Sequence, residues 1–125
     1  MATKYWVSNS DGLWSDTSNW STSSGGSGGV SVIPTIADTA IFDSGGSGDC
    51  TVNGLYTVGY LDLTSSYSGT FKLQHYPSRL AIYRDLDLRS GQTIDLTHTD
   101  SLLQLTSSFF NFATFDGTIT GVGEV

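Results

Sequence analysis

The chain repeats short strand patterns at a nearly fixed spacing between residues 56 and 106. Segment 60–63 reads Tyr-Leu-Asp-Leu, and a similar segment, Asp-Leu-Asp-Leu, occurs 25 positions later at 85–88. Segment 70–73 reads Thr-Phe-Lys-Leu and is answered 23 positions later by Thr-Ile-Asp-Leu at 93–96. A strand pattern that recurs every 20–30 residues or so is typical of a β-solenoid, because stacked coils bury a continuous column of apolar side chains.

Two further segments extend the repeat. Ser-Arg-Leu at 78–80 is answered by Ser-Leu-Leu at 101–103, and Asp-Gly-Thr-Ile at 116–119 begins a third unit that matches 90–94. An antiparallel sandwich or jelly roll is the alternative, because strands of similar composition also recur in those folds. The sequence therefore predicts an all-β domain that is either a short solenoid or a sandwich.

Strand patterning dominates the chain outside these matches as well. Apolar and polar residues alternate, so Leu61 and Leu63 face one side of a strand and Asp62 faces the other. Lys and Glu, which favour exposed helices, are scarce. The clearest predicted strands cover residues 56–63, 70–73, 80–88, 93–96, 102–106 and 111–115.

Length and charge narrow the possible functions. With 125 residues we expect a single domain, made of an aromatic and Gly/Ser-rich N-terminal segment at 1–43 and a β-repeat body at 44–125. The net charge of −7 disfavours contact with nucleic acid or an anionic membrane, since such contacts need clustered Lys and Arg. Cys50 is the single cysteine, which excludes an internal disulfide. The opening lacks the apolar run of a secretory signal, so we expect synthesis in a cytoplasm.

The acidic residues are the first candidates for a catalytic or metal-binding site. Asp85 and Asp87 lie two apart on one predicted strand and point the same way, as carboxylates that hydrolyse glycosides or bind calcium could. Arg84 and Arg89 are near enough to neutralise them. We interpret this face as a solvated strand surface with local ion pairs.

The other candidates are weaker. The acidic, Gly-rich loop 43–49 does not have the spacing of an EF-hand or of a calcium-binding β-roll. His75 and His98 are isolated in polar corners, and no serine has the context of a catalytic nucleophile. We therefore expect no enzymatic activity, no metal and no cofactor.

All three tryptophans, Trp6, Trp14 and Trp20, lie in the first twenty residues. Exposed indole faces would form a sugar-binding platform. Buried indoles would instead close the end of a thin core, to which each contributes a large apolar area. We favour the core or cap. The Gly/Ser tract at 21–29 has no side chains suited to packing, which indicates a flexible loop or linker.

The opening contains a series of short motifs: Tyr-Trp-Val at 5–7, Trp-Ser-Asp at 14–16, Asn-Trp-Ser at 19–21, Val-Ile-Pro at 32–34 and Ala-Asp-Thr-Ala-Ile-Phe-Asp at 37–43. On these motifs, the first 43 residues resemble a recurrent opening of β-rich structural proteins of tailed bacteriophages and, more loosely, of autotransporter-associated β-repeat proteins. Residues 52–63 resemble the strand that usually follows.

This resemblance implies a non-enzymatic virion protein. The short chain favours a capsid decoration, or cement, protein on the capsid surface that binds the major capsid protein. The alternative is a carbohydrate- or receptor-binding module of a tail fibre. The opening contributes a set of candidate docking or cap residues: Tyr5, Trp6, Trp14, Trp20, Ile33 and Phe42.

Self-association is a further expectation. A short solenoid leaves unpaired backbone at its ends, and residues 121–125 contain almost nothing that would cover one of them. A thin core and an open end together favour a homo-oligomer, with a trimer around a shared axis as the preferred form.

Overall fold

A computed structural model of the chain describes residues 2–29, 32–73, 78–96, 101–105, 114–115 and 118–121, with side chains described up to residue 104. These residues form twelve strands and one 3-10 turn, so the predicted all-β class is confirmed. No helix in these residues has the length and apolar character needed to span a membrane. The strands are β1 (Thr3–Trp6), β2 (Gly12–Leu13), β3 (Trp20–Ser21), β4 (Thr39–Phe42), β5 (Cys50–Thr51), β6 (Leu55–Leu63), β7 (Phe71–Lys72), β8 (Ser78–Leu88), β9 (Thr93–Leu96), β10 (Ser101–Leu105), β11 (Thr114–Phe115) and β12 (Thr118–Gly121).

The strands form two sheets. The larger sheet has the order β10-β8-β6-β4-β1-β3, with β11 also paired to β8, and the smaller sheet has the order β12-β9-β7-β5-β2. From β4 to β9 the chain passes from one sheet to the other at every step. Every pairing is parallel except that of β1 with β3, so the larger sheet is mixed.

The strand register reproduces the spacings predicted from the sequence. Leu61 lies opposite Leu86 across β6 and β8, an offset of 25. Phe71 lies opposite Ile94 across β7 and β9, an offset of 23. Strands β8 and β10 pair at the predicted offset of 23, and the predicted third unit pairs with β9 through β12. The repeat read from the sequence therefore corresponds to neighbouring strands in space.

The core consists of apolar columns that run across the paired strands. Ala40, Leu61 and Leu86 occupy matched positions of β4, β6 and β8, and all three are fully buried. Cys50 begins the corresponding column of the smaller sheet, and burial raises the pKa of its thiol. One hydrophobic cluster contains the inward side chains of both sheets. The parallel register thus places buried apolar side chains of successive strands side by side, which produces the continuous columns.

Gly59 marks a bend in the long strand β6. The pairing with β8 shifts register between Val58 and Tyr60. A Cβ atom on Gly59 would lie 2.6 Å from the carbonyl oxygen of Ile36 and 2.8 Å from that of Asp38. The amides of Gly59 and Tyr60 both donate to the Asp38 carbonyl, each at 3.1 Å. Only glycine permits this close approach, which turns the strand without breaking its pairing.

The sequence predicted the long strands better than the short ones. Strands β1 to β5, four residues or fewer in length, were not among the clearest predicted strands. The strand predicted at 70–73 shortens to Phe71–Lys72, and of the strand predicted at 111–115 only Thr114–Phe115 lies within the described residues. Short pairings of this kind depend on the neighbouring strand more than on local pattern.

The apolar columns generate a stability prediction. Leu86→Ala removes a fully buried side chain from the middle of a column, and we expect it to lower the free energy of unfolding by about 2–5 kcal/mol. Leu55→Ala, on β6 but 58% exposed, is the matched control and should change it by less than about 0.5 kcal/mol. Urea denaturation followed by circular dichroism measures both variants. Equal losses would contradict the assignment of the core.

Candidate functional site

The candidate docking or cap residues gather at the β1–β3 end of the larger sheet. Trp6, Trp14, Trp20 and Phe42 are fully buried. Tyr5 and Ile33 are partly exposed, although Ile33 packs against the core. The six residues therefore divide into four that contribute only to the interior and two that also contribute surface.

Trp20 is central to the packing of these rings. Its centroid lies 5.4 Å from that of Trp6 and 5.0 Å from that of Trp14, both edge to face. Phe42 meets Trp20 edge to face at 5.6 Å and stacks on Trp6 at 5.6 Å. The edge-to-face contacts place the positive edge of one ring against the negative face of another, which adds to the gain from burial. We call the four rings, with Tyr67 and Phe71 described next, the aromatic cluster.

Two members of the aromatic cluster were missing from the sequence-based set. Phe71 packs edge to face on Phe42 at 5.3 Å, and Tyr67 lies 5.2 Å from Phe42. Period-two alternation places Phe71 on the same face as Leu73, so the sequence contained a signal for it. Tyr67 lies in a Ser/Gly corner, and no local pattern indicates its burial.

Backbone carbonyls satisfy most of the polar atoms in the aromatic cluster. The carbonyl oxygen of Gly48 accepts from Trp6 Nε1 at 3.1 Å and from Tyr67 Oη at 2.7 Å. Trp20 Nε1 donates to the carbonyl oxygen of Trp14 at 2.9 Å. A Cβ atom on Gly48 would fall 1.9 Å from the carbonyl oxygen of Ser10, so glycine is required for this approach. These hydrogen bonds fix the orientation of the Trp6, Trp20 and Tyr67 rings in the core.

A buried ion pair attaches the loop before β4 to β1. Lys4 Nζ lies 3.0 Å from Asp38 Oδ2 and donates to the carbonyl oxygen of Ile33 at 3.3 Å. Thr35 donates to the same carboxylate through its amide at 2.8 Å and its hydroxyl at 3.0 Å. Burial alone would raise the pKa of Asp38, but these hydrogen bonds and the ammonium outweigh it and lower the pKa. The pair therefore holds the loop that carries Ile33, which packs against the hydrophobic core.

The Gly/Ser tract at 21–29 differs from the flexible linker that the sequence indicated. The amide of Gly29 donates to the carbonyls of Thr17 and Trp20, and Ser24 Oγ donates to Asp43 Oδ2 at 2.7 Å. A Cβ atom on Gly45 would lie 2.3 Å from the backbone nitrogen of Gly25. Close backbone contact replaces side-chain packing here, which composition alone does not reveal.

Burial of the indoles bears on the sugar-binding interpretation. A sugar stacks on an indole only when a ring face is open to solvent, and Trp6, Trp14 and Trp20 have no exposed surface. Asn19, beside Trp20, is also buried and donates from Nδ2 to the carbonyl oxygen of Leu13 at 3.1 Å. The three indoles thus form no open platform in this structure.

The carboxylates on β8 differ in their surroundings. Asp85 is partly exposed, whereas Asp87 is only 2% exposed, so the predicted solvated face is wrong for Asp87. Asp87 Oδ2 accepts from Tyr60 Oη and forms an ion pair with Arg89 Nη2 at 3.0 Å. The proximity of Arg89 agrees with the expected local ion pair. The other partner of Asp87, Tyr60, comes from the neighbouring strand β6, and the local sequence does not indicate that contact.

The acidic loop 43–49 uses its carboxylates within the protein. Asp43 Oδ1 accepts from the amide of Gly45 at 2.9 Å, and Asp49 binds the amide of Thr70 at 2.8 Å and Lys72 Nζ at 2.9 Å. Among the described residues, no three His, Cys, Asp or Glu side chains converge as metal ligands, and no cavity suited to a ligand is present. The two histidines of the sequence analysis, at 75 and 98, lie outside the described residues.

Comparison of the chain with protein-family models, curated proteins and solved structures gives no significant match.

Burial of the indoles generates a fluorescence prediction. Because all three are inaccessible, we expect blue-shifted emission that acrylamide quenches weakly, and addition of bacterial polysaccharide should leave the emission unchanged. Urea-unfolded protein is the control and should show red-shifted, strongly quenched emission. A polysaccharide-dependent shift of the native emission would contradict the buried cluster and favour a sugar platform.

Proposed function

We propose that this chain is a non-enzymatic structural protein of a bacteriophage virion, and that it decorates the capsid shell as a short, oligomeric β-solenoid. The observation that carries the architectural part is the parallel register of successive strand repeats. The assignment to a virion rests on the resemblance of the opening to phage structural proteins.

The solenoid part of the proposal rests on comparing the order of the strands along the chain with their order in each sheet. In a sandwich of hairpins, neighbours are antiparallel and follow each other along the chain. Here β4, β6, β8 and β10 are parallel neighbours in the larger sheet, and β5, β7, β9 and β12 are parallel neighbours in the smaller one. Each return to a sheet adds one strand beside its predecessor. This order supports successive coils stacked along one axis.

The two ends of the proposed solenoid differ. The aromatic cluster fills the core at the β1–β3 end, and β3 turns back antiparallel against β1. At the opposite end, β10 and β12 are the last strands of their sheet orders among the described residues. A sheet edge can bind a further strand through backbone hydrogen bonds. We assign contact with the major capsid protein or with a second copy to this end.

The partly exposed members of the candidate set suit a second, smaller contact. Tyr5 lies on the outward face of β1 beside Ile41, and Ile33 lies in the loop that the Lys4–Asp38 ion pair holds. A rigidly held apolar surface binds with little loss of conformational entropy. Many copies on a symmetric shell would add avidity to such small contacts.

Virion stoichiometry tests the assignment to the capsid. In purified particles of the phage that encodes the chain, we expect a copy number comparable to that of the major capsid protein, because decoration follows the shell lattice. Quantitative mass spectrometry of intact particles and of isolated tails measures it, with the major capsid protein as the internal standard. Absence from the particles would overturn the proposal, and enrichment in isolated tails would favour the tail-fibre alternative.

Solution mass tests the oligomer separately. A trimer has three times the 13.3 kDa mass of the chain, and light scattering at micromolar concentration should show that species. A stable monomer would contradict self-association through the end strands while leaving the capsid assignment to the stoichiometry experiment.

A further inference from the structure

Two acidic side chains face each other across the centre of the larger sheet. Asp62 on β6 lies directly opposite Asp87 on β8 in the parallel register. Adjacent strands lie about 4.8 Å apart, so side chains at matched positions on one face are neighbours. Arg89 reaches both carboxylates, with Nε 3.6 Å from Asp62 Oδ1 and Nη2 3.0 Å from Asp87 Oδ2. Tyr60 Oη donates to Asp87 Oδ2.

The two carboxylates are shielded from solvent and incompletely paired. The side chain of Asp87 is 3% exposed and that of Asp62 is 15% exposed. The Oδ1 atoms of both residues are buried, and within the described part of the chain neither accepts a hydrogen bond; the nearest cation to Asp62 Oδ1 is Arg89 Nε at 3.6 Å. Two carboxylates therefore share one guanidinium, which leaves excess negative charge in a region of restricted hydration. Such an arrangement is costly unless a proton or a cation neutralises it.

We propose that the Asp62 carboxyl keeps a proton in mildly acidic solution and donates it in a hydrogen bond to the Asp87 carboxylate, and that this proton tightens the pairing of β6 with β8. A protonated carboxyl donates a hydrogen bond to its neighbour, which removes one negative charge and provides a partner for the buried oxygens. The pair would then act as a pH-sensitive clamp between two successive strand repeats.

The charges around Asp62 agree with this geometry. Burial raises the pKa of Asp62, and the nearby charges of Asp87 and Asp43 raise it further, while Arg89 opposes the change. The neighbouring groups on the same face of β6 and β8 are Tyr60 and, opposite it, Asp85. Burial and the bond to Asp87 raise the pKa of Tyr60, so the phenol stays protonated and remains a donor.

The sign of the pH effect follows from linkage. A carboxyl whose pKa is higher in the folded state binds more protons there, so its contribution to stability grows as the pH falls from neutral toward about 4, the value of a free carboxyl. The carboxyls of Asp38 and Asp49 have lowered pKa values, and their stabilisation is lost only below that window. Between neutrality and about pH 4, the difference in pH dependence between the native chain and Asp62→Asn therefore isolates the contribution of the Asp62 carboxyl.

The experiment combines a direct titration with matched variants. Carbon-detected NMR of the native protein follows the side-chain carboxyl of Asp62, and we expect this carboxyl to keep its proton at a pH above the ordinary aspartate range. The unfolding equilibrium constant of the native chain should fall on acidification by up to about tenfold for each pH unit in the window. Asp62→Asn should abolish this fall, because its amide mimics the neutral carboxyl. Asp85→Asn, on the same face of β8, should retain it.

Three results would overturn the inference. The first is that the Asp62 carboxyl ionises within the ordinary aspartate range, and the second is that Asp62→Asn keeps the full pH dependence. The third is that millimolar Ca²⁺ at neutral pH shifts the Asp62 carboxyl signal and stabilises the native chain but not Asp62→Asn. That result would show that the pair holds a cation in place of the proton. The titration uses the unmodified protein, so it decides the matter even where a variant fails to fold.

Discussion

Parallel register between successive strand repeats is the constraint on which this structure depends. Because Leu61 lies beside Leu86, and Leu63 beside Leu88, each buried side chain packs on its counterpart in the next repeat. A slip of one residue would turn every leucine outward and bring the aspartates between them into the core. The same register places Asp62 opposite Asp87, so the pattern that builds the core also creates the charged pair on the outer face.

The aromatic cluster fills the core at the β1–β3 end of the larger sheet. The β1–β3 end is built from short strands, which bring few leucines to the core. Large rings fill that space, and hydrogen bonds from Trp6 and Tyr67 to the Gly48 carbonyl fix their positions. Glycines at close contacts let the backbone of neighbouring loops approach. The tryptophan-rich opening is therefore best explained by its place in the fold, whatever surface the protein uses for binding.

Sequence reasoning succeeded where local pattern decides the structure. Alternation placed Leu61 and Leu63 inside, and the repeated tetrapeptides gave the correct offsets between paired strands. It failed where the outcome depends on residues distant in sequence. The packed backbone of the tract 21–29 depends on contacts with Gly45 and Asp43. The buried position of Asp87 involves a hydrogen bond from Tyr60 on the neighbouring strand β6. Neither contact has a local signature.

Inter-strand nuclear Overhauser effects test the stacked architecture most directly. In a parallel pair, contacts keep a constant sequence offset, so backbone protons of residue 61 should contact those near residue 86, and those of residue 63 should contact those near residue 88. An antiparallel sandwich would give partner numbers that fall as the strand numbers rise. A constant offset of 25 across 60–63 and 85–88 is the expected result, and a reversed order of contacts would contradict the parallel pairing of β6 with β8.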